Sequence, residues 1–93
     1  MSQLSSVHIT VDALGLMCPL PVLKLRKALK SCKNGCVVKL MADDPAAQID
    51  VGHFCNETGN ILLREEVEKN NIIGKIQSVE IKPLRVFYIK KKE

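Results

Sequence analysis

Four cysteines, at positions 18, 32, 36 and 55, and two histidines, at 8 and 53, are the side chains of this 93-residue chain with the most pronounced nucleophilic or metal-ligating chemistry. Cys18 stands apart from the other three. It opens the run Cys18-Pro19-Leu20-Pro21, and proline inside a helix is tolerated only in the first turn, where its missing N–H has no partner anyway. Two prolines therefore place Cys18 at or just before a helix N-cap. A sulfur there faces unpaired backbone N–H groups and the positive end of the helix dipole, both of which favour thiolate over thiol. No Asp or Glu lies within five residues on either side, and Lys24 and Arg26 follow closely. The expectation is a thiol more acidic than the free value of about 8.5. Neither histidine neighbours it in sequence, so no cysteine–histidine hydrolase dyad is evident. A reactive cysteine without a visible base suits thiol exchange or sulfur transfer, in which the thiolate itself is the nucleophile.

The other cysteines read as structural. Only Cys32 and Cys36 have the close spacing of zinc-ligand pairs, but they straddle a helix end and a strand start, where small buried hydrophobes are expected. Cys55 lies beside Phe54 in a second helix and reads as buried, with a resolving-thiol role as the lesser alternative. No metal site and no cofactor is expected. All four cysteines are expected to be reduced thiols of a cytoplasmic protein. No basic segment leading into an apolar run marks a secretory signal, and no apolar stretch approaches the roughly 20 residues of a membrane span.

The elements that must position Cys18 follow from the pattern. Val7–Ala13 is β-branched and loosely alternating, a strand, and Gly15 turns the chain after it. In the first helix Val22, Leu25, Leu29 and Cys32 recur at helical spacing, widened by Leu23 and Ala28, with Asn34-Gly35 as the stop. Cys36–Ala42 is an apolar run of inner-strand length. Asp43-Asp44-Pro45 supplies an N-cap acid and a first-turn proline for a second helix over about 45–58, carrying Ala46, Ile49, His53 and Phe54 on one side. Ile61–Val67 fits either a strand or a helical continuation. Residues 75–82 and 84–91 both alternate as strands, with Pro83 between them.

The resulting order, β-α-β-α-β-β, defines an α+β fold: a two-layer α/β sandwich with two helices on one face of a mixed four-stranded sheet. Ninety-three residues make one domain, with a flexible N-terminus over 1–6 and an extended loop or hairpin over 68–83. Hydrophobic residues are 46% of the chain and aromatics 3%, so the core is aliphatic and the stacked aromatics of an RNA-recognition platform are missing. Charge is segregated: six bases and no acid over 13–42, seven acids and one base over 43–68, then seven bases and two acids. Such separation orients partners. Lys24, Arg26, Lys27 and Lys30 lie close behind Cys18 and are candidate partner-docking residues, against the plainer reading of a solvated helix face.

Asp12-Ala13-Leu14-Gly15-Leu16-Met17-Cys18-Pro19-Leu20-Pro21, followed by Ala42-Asp43-Asp44-Pro45, Phe54-Cys55 and Thr58-Gly59-Asn60, resembles the TusA/SirA-like sulfur-carrier family over about residues 7–67. The resemblance implies the two-layer sandwich and a carrier role rather than turnover of a small molecule. It makes Cys18 the residue that accepts sulfane sulfur as a transient persulfide, with Asp12, Gly15, Pro19 and Pro21 shaping its turn. The implied partners are a cysteine desulfurase as donor and a downstream sulfur-acceptor protein. In the family's best-known relay the sulfur ends as the 2-thio group of a tRNA wobble uridine, with no stable nucleic-acid binding by the carrier itself. Leu20 departs from the best-known carrier, which has Glu there, and the 68–83 segment is longer than in many members. Two rival readings are a redox or regulatory protein-binding module with an exposed cysteine, and a small basic RNA-binding domain.

Overall fold

The computed structural model describes residues 7–68 and 83–93. Strand β1 spans Ile9–Ala13, helix α1 Leu20–Lys30, strand β2 Val37–Ala42, helix α2 Ala47–Thr58, strand β3 Ile61–Glu68 and strand β4 Leu84–Lys90. The sheet order is β1-β2-β4-β3. β1 and β2 are parallel, joined by the α1 crossover, and the β2–β4 and β4–β3 pairs are antiparallel. This is the mixed four-stranded sheet with two helices that the sequence pattern implies. The parallel pair requires a helix between its strands, which explains why β1, the proline-opened α1 and the apolar β2 follow one another directly.

The segment 61–67, which fits two periodicities, is a strand. Its partner settles the matter: from Ile61 opposite Lys90 to Glu68 opposite Leu84 it pairs with β4, with a register shift between Leu62 and Arg64. The strand expected over 75–82 and the N-terminal residues 1–6 lie outside the described residues.

Registers fix one face of the sheet as the core. Val38 faces Ile89, and Leu40 faces Phe87, across the β2–β4 ladder, and all four are fully buried. Val11 and Ala13 of β1 complete the sheet side. Above them pack Leu25 and Leu29 of α1 and Ala47, Val51 and Cys55 of α2. Buried apolar side chains thus converge from every element but β3, whose partly buried Leu62 packs against the cluster.

Four expectations are corrected here. α2 begins at Ala47, not Pro45, because the Asp43 and Asp44 carboxylates hold other groups, described below. Its buried face is Ala47, Val51 and Cys55 at i, i+4, i+8, while Ile49 is 74% exposed and His53 is exposed beside Glu57. The helix is turned so that small residues meet the sheet, the close approach that Ala47, Val51 and Cys55 permit. In α1 the stripe is narrower than expected, since Leu23 is exposed. Finally, Cys32 and Cys36 are not separate reduced thiols but a disulfide with Cα atoms 6.3 Å apart. Their burial was foreseeable from the pattern; their bonding was not, because the turn that brings the sulfurs together sits between two elements.

Phe87 is the largest fully buried side chain, in the middle of β4 and flanked by strands on both sides. Phe87→Ala is expected to cost about 3–5 kcal/mol through lost contacts and the cavity left behind. The urea unfolding midpoint measures this, and a loss below about 1 kcal/mol would mean that the core collapses around the gap.

Candidate functional site

Cys18 lies in the connection between β1 and α1, at the end of the parallel pair marked by Ala13 and Ala42. Its turn is built from backbone amides pointing inward at carboxylates. The Asp12 Oδ1 accepts the N–H of Leu14 at 3.0 Å, two residues on, a side-chain turn of the kind short acids favour. Gly15 follows at φ +81°, a left-handed conformation in which a side chain is strained. The Gly15 N–H donates to both carboxylate oxygens of Asp43, at 3.0 and 3.2 Å. The Cys18 N–H donates to Asp44 Oδ2 at 2.7 Å, and Asp44 Oδ1 accepts the Ala46 N–H at 3.2 Å.

The pair Asp43-Asp44 therefore ties the β2–α2 connection to the β1–α1 connection. The sequence reading assigned these acids to capping α2. In the structure the N-cap is Ala46, with no cap bond from its own side chain; Asp43 and one oxygen of Asp44 hold the cysteine loop, while the other oxygen of Asp44 still accepts an N–H at the start of α2.

Pro19 is the N-cap of α1, so Cys18 sits one residue before the cap, in the window the prolines define, and the Cys18–Pro19 peptide is cis. Pro21 is buried within the first turn. Cys18 itself is exposed and unpaired, whereas the other free cysteine, Cys55, is buried.

The expectation of a thiol more acidic than usual is overturned. The Cys18 pKa is raised, first by the hydrogen bond its thiol gives to the Asp50 carboxylate, then by desolvation and by the negative charges of Asp50 and Asp44. A nearby anion disfavours a second one. The helix terminus contributes less opposing pull than its position suggests. Of the four N–H groups that a helix start leaves unpaired, two would belong to Pro19 and Pro21, which have none. Leu20 spends its own on the Met17 carbonyl at 2.8 Å. Burial pushes the Cys55 thiol further still, to about 11.

Asp44 and Asp50 lie 26 and 32 residues from Cys18 in sequence, beyond any local reading of the charge around it. The Asp43-Asp44-Pro45 run carried a signal, read only as a cap for α2. Asp50 carried none. Of the four candidate docking bases, all exposed on α1, Lys24 is also tied to the loop: its Nζ donates to the Asp12 carbonyl at 3.1 Å. Exposed apolar side chains accompany the cysteine along the same segments: Leu14, Met17, Leu20 and Leu23, with Ile49 next to Asp50 on α2. Among the described residues no cluster of three or more histidine, cysteine or acidic side chains is placed to hold a metal ion, and no helix is long and apolar enough to cross a membrane.

The described residues thus form an open mixed sheet with two helices, and of the two free cysteines only Cys18, on the turn that enters the first helix, is exposed. The family described as Sulfurtransferase TusA matches residues 9–78, and the chain belongs to that family. The fold is similar to the crystal structure of a SirA-like protein from Desulfitobacterium hafniense, at 25% identity and a TM-score of 0.62, covering 92% of this chain and all of that one.

If Asp50 holds the proton on Cys18, Asp50→Asn removes a negative charge and should lower the Cys18 pKa. The pH profile of Cys18 alkylation by a neutral reagent, mapped by mass, should then shift to lower pH, with faster reaction at pH 7. An unmoved or upward-shifted profile would refute the assignment.

Proposed function

We propose that the protein carries sulfane sulfur as a persulfide on Cys18, receiving it from a cysteine desulfurase and passing it to an acceptor protein. The observation that carries this reading is that Cys18 alone of the four cysteines is both free and exposed, on a turn held rigid by Asp43 and Asp44. Membership of the TusA family supports the same role.

The chemistry balances without an external oxidant. The Cys18 sulfur attacks the outer sulfur of the donor persulfide, a new S–S bond forms at Sγ, and the donor's own S–S bond breaks. The donor leaves as a thiolate and takes up a proton. Asp50 and Asp44 oppose the charge of a Cys18 thiolate, so the sulfur gives up its proton as the new bond forms rather than beforehand. A raised thiol pKa lowers the thiolate fraction at rest, and the thiolate is the form that is oxidised. Asp12 and Gly15 shape the loop, and Pro19 and Pro21 shorten the list of competing hydrogen-bond donors at the helix start. A persulfide extends the reactive atom about 2 Å beyond Sγ.

Partner recognition combines two surfaces. The apolar collar of Leu14, Met17, Leu20, Leu23 and Ile49 gives a partner something to bury around the sulfur. The bases Arg26, Lys27 and Lys30 on α1 steer an acidic partner from a distance. The leucine at position 20 belongs to the apolar set, so this carrier selects a partner with an apolar rather than a basic contact at that point. A tRNA 2-thiouridine pathway is one destination for the sulfur, with the nucleic acid held by the acceptor rather than by this chain. The redox-module alternative shares the exposed cysteine but predicts no sulfur uptake.

Incubation with a cysteine desulfurase and cysteine is expected to add one sulfur, about 32 Da, to Cys18 alone. Cys18→Ser should abolish the addition with the unfolding midpoint nearly unchanged, because an exposed position tolerates serine. Sulfur uptake by Cys18→Ser at the native rate would eliminate the carrier reading.

Lys27→Glu with Lys30→Glu is expected to slow transfer at low salt and to make little difference at high salt, where a Debye length of about 3 Å at 1 M screens the field. Equal transfer rates for wild type and double variant across the salt range would reduce these lysines to solvated surface.

A further inference from the structure

Cys18 occupies one end of the parallel strand pair, and the Cys32–Cys36 disulfide occupies the other. Cys32 follows the C-terminal turn of α1, and Cys36 immediately precedes Val37, the first residue of β2. The bond closes a loop with a sequence separation of only 4, and so short a loop removes little freedom from the unfolded chain.

The turn is also closed without it. The Cys36 N–H donates to the Lys33 carbonyl at 3.0 Å, the Gly35 N–H to the Lys91 carbonyl at 2.9 Å, and the Lys91 N–H to the Cys36 carbonyl at 2.8 Å. The Lys91 ammonium ties the end of α1 by donating to the carbonyls of Leu29 and Cys32 at 2.7 and 2.8 Å. On the other side, His8 exchanges two bonds with Val37: its N–H donates to the Val37 carbonyl at 2.8 Å, and its Nδ1 accepts the Val37 N–H at 3.0 Å. These hydrogen bonds, from backbone and from the Lys91 side chain, close the turn in addition to the S–S bond.

The pair is also approachable. A cavity of about 280 Å³ opens onto it, lined by His8, Cys32, Lys33, Asn34, Gly35 and Cys36. Cys32 is half-buried and Cys36 is 6% exposed, so the two sulfurs are not equivalent to an incoming nucleophile. Lys33 and Lys91 add positive charge, and the carboxylate of Glu93, which lies against Gly35, is paired with Lys90 at 3.4 Å. An electropositive setting of this kind favours thiolates.

We propose that Cys32 and Cys36 form a second reactive centre, a dithiol–disulfide couple that exchanges with a low-molecular-weight thiol entering this cavity, independently of Cys18. A thiolate attacks the more exposed Cys32 sulfur, a mixed disulfide forms there, and the Cys32–Cys36 bond breaks with Cys36 leaving as a thiolate that takes a proton from water. A second thiolate attacks the small-molecule sulfur of the mixed disulfide, releasing the small-molecule disulfide and the Cys32 thiolate, which is protonated in turn. In sum two thiols are oxidised and one protein disulfide is reduced, with two electrons and two protons transferred. The reverse runs with the small-molecule disulfide as oxidant. The chain then carries two sulfur chemistries at opposite ends of one sheet.

The test equilibrates the full chain, without denaturant, in defined ratios of reduced to oxidised glutathione, followed by acid quench, alkylation and mass mapping. Cys32 and Cys36 are expected to open and close together as one two-electron step, with the far-ultraviolet circular dichroism unchanged and with the same midpoint in Cys18→Ser. Cys36→Ser is expected to take up glutathione on Cys32 about ten-fold faster than Cys32→Ser takes it up on Cys36, reflecting the difference in access. Three results would overturn the proposal: a bond that opens only in denaturant, opening accompanied by loss of the fold, or reduced protein that forms no Cys32–Cys36 bond at any glutathione ratio. Because Cys18→Ser carries the readout, failure here is distinct from failure of sulfur carriage at Cys18.

Discussion

Two adjacent carboxylates hold the amides of Gly15 and Cys18, and the rest of the site follows from that contact. Asp43 and Asp44 stand at the end of β2, directly across the parallel ladder from the end of β1. The Gly15 and Cys18 N–H groups, which point away from the sheet and have no strand partner, find their acceptors there. Hydrogen bonds from a backbone amide to a charged acceptor are stronger than neutral ones. They place the cysteine at a set height above the sheet before any partner arrives. The same contact explains why α2 starts late, and why its first turn brings Asp50 against the thiol.

This arrangement puts a carboxylate where a sulfur nucleophile is usually served by a cation. The consequence is a thiol whose pKa is raised rather than lowered. The bases Lys24, Arg26, Lys27 and Lys30 are exposed on α1.

The second pair of cysteines uses the fold differently. At the other end of the ladder, the α1–β2 turn is secured by Lys91 and His8 from strands on either side of β2. Cys18 is set by acids and Cys32–Cys36 by bases. One small sheet thus presents two sulfur environments of opposite electrostatic character, separated by the length of the strands.

Much of this was legible in the residues. The proline pair bounded the start of α1, the alternation and apolar runs marked β1, β2 and β4, and Cys18 was singled out by its place before a helix. Those are local properties, set by backbone sterics and by periodicities of two and 3.6 residues. The ionisation of Cys18 was not local. No acid lies near it in sequence, yet Asp44 and Asp50 surround it, because the parallel pairing of β1 with β2 brings the residues after each strand to the same edge. The identity of residues 61–68 was likewise undecided until β4 lay beside them, since a short segment that fits two periods is resolved only by its hydrogen-bond partner. The buried face of α2 depended on the helix's rotation against the sheet, which small side chains at Ala47, Val51 and Cys55 permit and which left Ile49 in solvent. Residue type and spacing determined which sulfur would be presented; the crossing of two loops at one end of the sheet decided the charge it would meet there.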